Sequence, residues 1–92
     1  MKIYCVCGFG LGSSMIARSN VEELCDKLGI DAEIETSDLG SIAGINGDLF
    51  VTTREIAEEF PEELKSKTVV LTNFVKKSEI EAVLTPHLLN LK

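Results

Sequence analysis

The sequence predicts an α/β fold: a four-stranded parallel sheet of order 2-1-3-4, helices on both faces, and a phosphatase-like P-loop after the first strand. Three observations predict it. Short apolar runs alternate with stretches of helical periodicity, the pattern of successive βαβ units. The first run, KIYCV at 2–6, leads directly into CGFGLGSS at 7–14, a glycine-rich turn placed between a strand and a helix. Right-handed crossovers then favour the second strand on one side of the first and the third on the other.

The elements follow in order. Residues 2–6 form the first strand. Residues 14–28 form the first helix, with Ala17, Val21, Leu24, Cys25 and Leu28 on one face. Ser13 and Ser14 are suitable N-caps for it, and Gly29 ends it. Ser19 and Glu22 offer a competing start as a capping box. Residues 31–36 (DAEIET) alternate in polarity and read as an edge strand. Residues 37–46 read as a loop with room for one helical turn, and 48–52 (DLFVT) as the third strand. A short helix at 53–60 is ended by Pro61. Residues 68–72 (TVVLT) form the fourth strand. Ser78 and Glu81 then make a capping box for a last helix whose face is Ile80, Val83, Leu84, His87, Leu88 and Leu91. Pro86 inside it predicts a kink or break.

A chain of 92 residues is read as one domain, 1–92, able to bury a core without metal or disulfide staples. The net charge of −6 speaks against a nucleic-acid partner, which selects a basic face. No stretch reaches the ~20 apolar residues of a membrane span, and the opening apolar run is too short for a signal peptide. The expectation is a cytoplasmic protein without direct membrane insertion. Three cysteines, an odd count with two nearly adjacent, make no disulfide framework and suit a reducing compartment. The charge is uneven: residues 1–21 carry Lys2 and Arg18 but no Asp or Glu. The glycine-rich stretch therefore lies where a bound anion is least opposed.

Four readings of CVCGFGLGSS compete. A structural metal site needs four ligands at wider spacing, and beyond Cys5 and Cys7 the chain offers only Cys25 and His87. A thioredoxin-like pair needs C-x-x-C, whereas the spacing here is C-x-C. Cys5 and Cys25 are better read as small buried residues. Gly8 and Gly10 match the first two positions of G-x-G-x-x-G, with Glu35 at a plausible ribose distance, but Ser13 takes the third glycine's place. The Walker pattern lacks its lysine. The phosphate cradle accounts for the most residues. Gly8, Gly10 and Gly12 let successive N–H groups curl inward around an anion, and Phe9, Leu11, Ser13 and Ser14 complete the loop. The following helix adds free N–H groups and the positive end of its dipole. Cys7 stands at the lip, where a thiol has a lowered pKa and can attack phosphorus. The plainer alternative is a tight strand–helix turn with Cys7 packed inside.

A cysteine phosphatase would require C-x5-R, with the arginine clamping phosphate bidentately. Six residues after Cys7 stands Ser13, and Arg18 lies a full turn into the helix. A loop without that arginine is suited to holding a phosphoryl group for an acceptor rather than hydrolysing it. The small cysteine phosphatase and the anion- or nucleotide-binding module remain the alternatives.

A cysteine ending the first strand, followed by G-x-G-x-G-S-S and a helix, resembles the IIB components of the bacterial sugar phosphotransferase system (PTS). The fit is closest to the ascorbate-type branch; lactose-, galactitol- and mannitol-type IIB domains are related. The resemblance covers the chain in length and element order, its specific part being Cys7 to Ser14. It implies that Cys7 accepts phosphate from a phosphohistidine of a IIA partner and passes it to a sugar held by a membrane-embedded IIC permease. It implies no cofactor, and a cytoplasmic location at the permease.

At the same sheet edge, Thr52 and Thr53 end the third strand and Thr72 and Asn73 the fourth. They are read either as hydrogen-bonding partners of the phosphoryl group or as plain caps and strand ends. Phe9 and Leu11 are read as a docking patch or as side chains folded back. His87, the only histidine, is read as structural or surface rather than as a phosphoryl relay. The acidic stretch at 55–63 reads as a solvated face.

Overall fold

Strand β1 (Lys2–Cys7) has water on neither face, because Ile3, Cys5 and Val6 retain no exposed surface. A parallel strand covered on both sides reads as an unbroken apolar run, which IYCV at 3–6 is. The computed structural model describes residues 1–7, 12–72 and 76–91, giving for Cys7, Gly12, Ser13, Ser14, Ala43 and Leu91 the backbone alone. After β1 the described chain continues with α1 (Gly12–Leu28), β2 (Glu33–Asp38), a 3₁₀ helix (Leu39–Gly44), and β3 (Leu49–Thr53). Two one-turn helices, α2 (Arg54–Ala57) and α3 (Glu62–Lys65), precede β4 (Thr68–Leu71) and the closing helix α4 (Lys77–Leu91).

All strand pairs are parallel and the order is β2-β1-β3-β4, as the alternation of elements predicts. Pairing of β1 with β2 runs from Lys2–Glu33 to Cys7–Asp38, and pairing with β3 from Ile3–Leu49 to Cys5–Val51. Two buried layers sandwich the sheet. On one face, Ala17, Val21, Leu24 and Cys25 of α1 and Ile80, Leu84 and Leu88 of α4 cover Ile3, Cys5, Val51 and Leu71. On the other, Ile42 of the 3₁₀ helix and Phe60 cover Val6 and Phe50, with Tyr4, Ile56 and Leu64 at the margin. The ring of Phe50 stacks on Tyr4 at 5.8 Å and meets Phe60 edge-on at 6.1 Å.

Several expected boundaries move. The first helix begins at Gly12, so Ser13 and Ser14 lie in its first turn rather than at its cap. The edge strand lies at 33–38, two residues later than its polarity alternation suggests, because pairing along β1 sets its limits. The turn within 37–46 is the 3₁₀ helix. The single helix expected at 53–60 stops at Ala57, and a second helical turn follows Pro61. Phe60, 4 % exposed, is drawn into the core beneath the sheet, and that path is incompatible with continuing the helix. The last helix starts at Lys77, one residue before the expected cap Ser78, and Glu79 of its first turn accepts the Thr72 amide at 2.8 Å. It runs unbroken through Pro86, while the Thr85 hydroxyl donates to the Glu81 carbonyl one turn back. His87 is exposed and does not join Ile80, Leu84 and Leu88 on the buried face.

Candidate active site

Ligand sites of open parallel sheets form beyond the carboxyl ends of the strands, beside the point where strand order reverses. Here that point is the end of β1, flanked by β2 and β3. Cys7 is the last residue of β1 and Gly12 the first of α1, so strand and helix are joined at this edge by four residues. The predicted cradle residues Gly8, Phe9, Gly10 and Leu11 lie outside the described residues, as does Asn73. Gly12, Ser13 and Ser14 form the first turn of α1. The opening N–H groups of a helix have no partner within it, and the helix dipole is positive there. Met15 and Ile16 follow, 57 % and 49 % exposed, an apolar pair standing in solvent beside the turn.

Arg18 is committed elsewhere: its Nε donates to Glu22 Oε1 at 2.9 Å along the helix surface. It is thus held one turn further along α1 as part of an ion pair. The other thiols are also accounted for. Cys5 lies beneath α1 with no exposed surface, and burial pushes its thiol up to about 12. Burial, with Asp26 and Glu22 adding to it, likewise raises Cys25, 2 % exposed on the core face of α1. Neither supplies thiolate at neutral pH.

The threonines of the same edge separate. Thr52 has no exposed surface, and its hydroxyl donates to the Val6 carbonyl at 3.1 Å. Thr53 occupies the N-cap position of α2 without a side-chain cap hydrogen bond. Beside it, Thr53, Arg54, Glu55, Val70, Leu71 and Thr72 line an open cleft of about 620 Å³ at the ends of β3 and β4. Thr72 is tied to α4 through its amide.

Asp38 escapes sequence reasoning. It is the register partner of Cys7, which places a carboxylate-bearing residue next to the end of β1. An edge strand read at 31–36 stops short of it, and the polar run Thr36-Ser37-Asp38 carries no apolar alternation that would extend the strand. A separate hollow of about 330 Å³ beside β2 is lined by Glu22, Asp26, Asp31, Glu33 and Glu35 with Arg18. Among the described residues no group of three or more His, Cys, Asp or Glu side chains is arranged to hold a metal ion. No helix among them is long and apolar enough to cross a membrane.

Residues 2–86 match the family described as "PTS system, Lactose/Cellobiose specific IIB subunit". The chain is 29 % identical over 87 residues to the ascorbate-specific PTS system EIIB component of Mycoplasma pneumoniae, covering 92 % of each protein. Its fold is similar to that of the lactose-specific IIB component domain of the phosphoenolpyruvate:carbohydrate phosphotransferase system from Streptococcus pneumoniae. That similarity has a TM-score of 0.62 at 15 % identity, over 100 % of this chain and 98 % of the other. With a family match across nearly the whole chain, on a four-stranded parallel sheet of matching fold, this protein belongs to the lactose/cellobiose-specific IIB family of the sugar phosphotransferase system.

Proposed function

We propose that Cys7 is the phosphoryl carrier of this IIB domain, loaded by a phosphohistidine of a IIA partner and discharged to a sugar held by a membrane IIC partner. The carrying observation is positional: Cys7 ends the central strand at the sheet's ligand-binding edge, and α1 starts with its positive end four residues later. The burial of Cys5 and Cys25 supports the assignment, since neither is accessible to a partner protein.

The chemistry is two displacements at phosphorus. The Cys7 thiolate attacks the phosphohistidine, the N–P bond breaks, the imidazole leaves, and an S–P bond forms. A sugar hydroxyl oxygen then attacks the phosphocysteine. The S–P bond breaks, Cys7 returns as thiolate, and the hydroxyl proton passes to solvent or to a base on the permease. The N–H groups of the α1 first turn, with the cradle of residues 8–11, would hold the phosphoryl oxygens. Ser13 stands where a cysteine phosphatase carries arginine, which suits an intermediate that persists until an acceptor arrives. The ascorbate-specific relative makes ascorbate the first sugar to test. A carrier of this kind would work in the cytoplasm, at the inner face of the permease.

The test is intact mass after incubation with phosphoenolpyruvate, the general phosphotransferase proteins and candidate IIA partners. One added phosphoryl group, absent in Cys7→Ser, is expected, followed by its loss on adding IIC membranes with ascorbate. No labelling by any donor, or labelling that survives Cys7→Ser, overturns the assignment. Rapid turnover of an aryl phosphate by the isolated protein would favour a phosphatase instead.

A further inference from the structure

We infer that Thr52 is a positioning residue for Cys7, acting through the peptide bond between Val6 and Cys7; the inference rests on Cys7 being the phosphoryl carrier. Backbone register between β1 and β3 runs only from Ile3–Leu49 to Cys5–Val51. On its other edge β3 pairs with β4 from Phe50–Thr68 to Thr53–Leu71, so Thr52 lies one residue past the last described register pair with β1. On the other flank β1 stays paired with β2 through Val6–Ser37 and Cys7–Asp38. At Val6 the Thr52 side chain reaches β1 from the β3 side, its hydroxyl donating to the Val6 carbonyl at 3.1 Å.

That carbonyl belongs to the peptide unit that carries Cys7. A peptide unit is planar, so its six atoms from the Val6 Cα to the Cys7 Cα move together. Fixing the oxygen on the β3 side fixes the Cys7 N–H on the opposite side and the direction in which the Cys7 Cα leaves the strand. The proposed phosphate-binding residues follow directly on that atom in sequence. A misplacement on the order of 1 Å can cost about 100-fold in a transfer step, so a clamp one bond before the nucleophile bears on rate.

The setting argues for this use of the hydroxyl. Thr52 has no exposed surface and follows Leu49, Phe50 and Val51, all buried and apolar. Valine has nearly the shape of threonine and would complete the apolar strand, but it leaves the Val6 carbonyl without this donor. Thr52 and Ser37 are the buried polar residues among those described, and the Ser37 hydroxyl instead donates to the Asp38 carbonyl at 3.2 Å.

The experiment compares Thr52→Val, Thr52→Ser and a core control of matched stability loss, Ile80→Val or Leu84→Ala. Two readouts are taken on the full chain: the rate of phosphoryl transfer from phosphorylated IIA, and the pH profile of iodoacetamide alkylation at Cys7, located by peptide mass mapping. Thr52→Val should slow transfer by about tenfold or more and displace the alkylation profile; Thr52→Ser should restore both, and the control should change neither. The inference is overturned if Thr52→Val keeps the wild-type rate and profile, or if the control shifts them equally. Alkylation needs no donor or acceptor protein. If wild-type chain takes no phosphate while its profile still moves with Thr52, the carrier reading has failed and the positioning of Cys7 has not.

Discussion

Cys7 and Asp38 are register partners at the carboxyl ends of β1 and β2, adjacent positions on neighbouring parallel strands about 4.8 Å apart. A carboxylate so placed opposes negative charge at Cys7, whether thiolate or phosphocysteine. The effect is screened, because Asp38 is exposed. Asp38→Asn is therefore expected to raise the Cys7 alkylation rate at pH 7 and low salt by about twofold, with the difference vanishing near 1 M salt. An unchanged or slower rate at low salt would show that the carboxylate does not act on this site.

The buried thiols predict a distinct alkaline weakness. Burial pushes Cys5 from its ordinary value of 9.0 to about 12. Between those limits the unfolded chain surrenders the Cys5 proton while the folded chain keeps it. Unfolding is then coupled to proton release, so stability is full below pH 9 and falls as pH rises, by roughly 4 kcal/mol across the interval. Cys25, also raised, adds to the same slope. Urea midpoints measured from pH 8 to 11 should decline more steeply for the wild-type chain than for Cys5→Ala. Comparing slopes cancels the lysine and tyrosine titrations common to both. Equal slopes would mean that Cys5 does not contribute.

Much of this fold was legible because its signals are local. β1 and β3 are short apolar runs, and a helix follows the glycine stretch directly. What escaped depends on partners distant in sequence. Thr52 finds its acceptor 46 residues away, and no local pattern announces a hydrogen bond to Val6. The limits of β2 are set by Met1 and β1: the Glu33 amide donates to the Met1 carbonyl at 2.9 Å, and the pairing carries on to Cys7–Asp38. The polar composition EIETSD conceals its last two residues. The helix at 53–60 was overextended because propensity cannot foresee Phe60 turning inward against Phe50. For the site, Cys7 ends β1 and a helix follows the glycine stretch, though it starts at Gly12, two residues earlier than expected, while Asp38 becomes visible only through strand register.

The layer formed by α1 and α4 separates packing from charge. Leu84 has no exposed surface and lies among Val21, Leu24 and the strand residues. Leu84→Ala should cost about 2–5 kcal/mol, read as a lower urea midpoint with the transition still cooperative. Across the same two helices Lys77 Nζ reaches Glu23 Oε2 at 2.6 Å, with both side chains more than half exposed. Such pairs contribute little in water. The denaturation midpoint of Lys77→Gln should match that of the wild-type chain at 0.15 M salt. A loss approaching that of Leu84→Ala would mean that the pair, and not the apolar seam, joins the helices.

Gly29 tests a backbone requirement without a packing change. It is the one described residue with positive φ, at 71°, directly after α1. The Ile30 amide donates to the Cys25 carbonyl at 2.8 Å and the Gly29 amide to the Asp26 carbonyl at 3.2 Å, the paired bonds of a Schellman cap. A Cβ built at Gly29 meets nothing within 4 Å, so an added methyl group has room. The penalty for alanine is then conformational, about 1–2 kcal/mol for an L-residue held in the left-handed region. Asparagine tolerates that region better and should lose less. The expected stability order by urea denaturation is wild type, Gly29→Asn, Gly29→Ala. Alanine equal to glycine would indicate that the cap relaxes out of the left-handed region, and the Ile30 amide should then lose hydrogen-exchange protection.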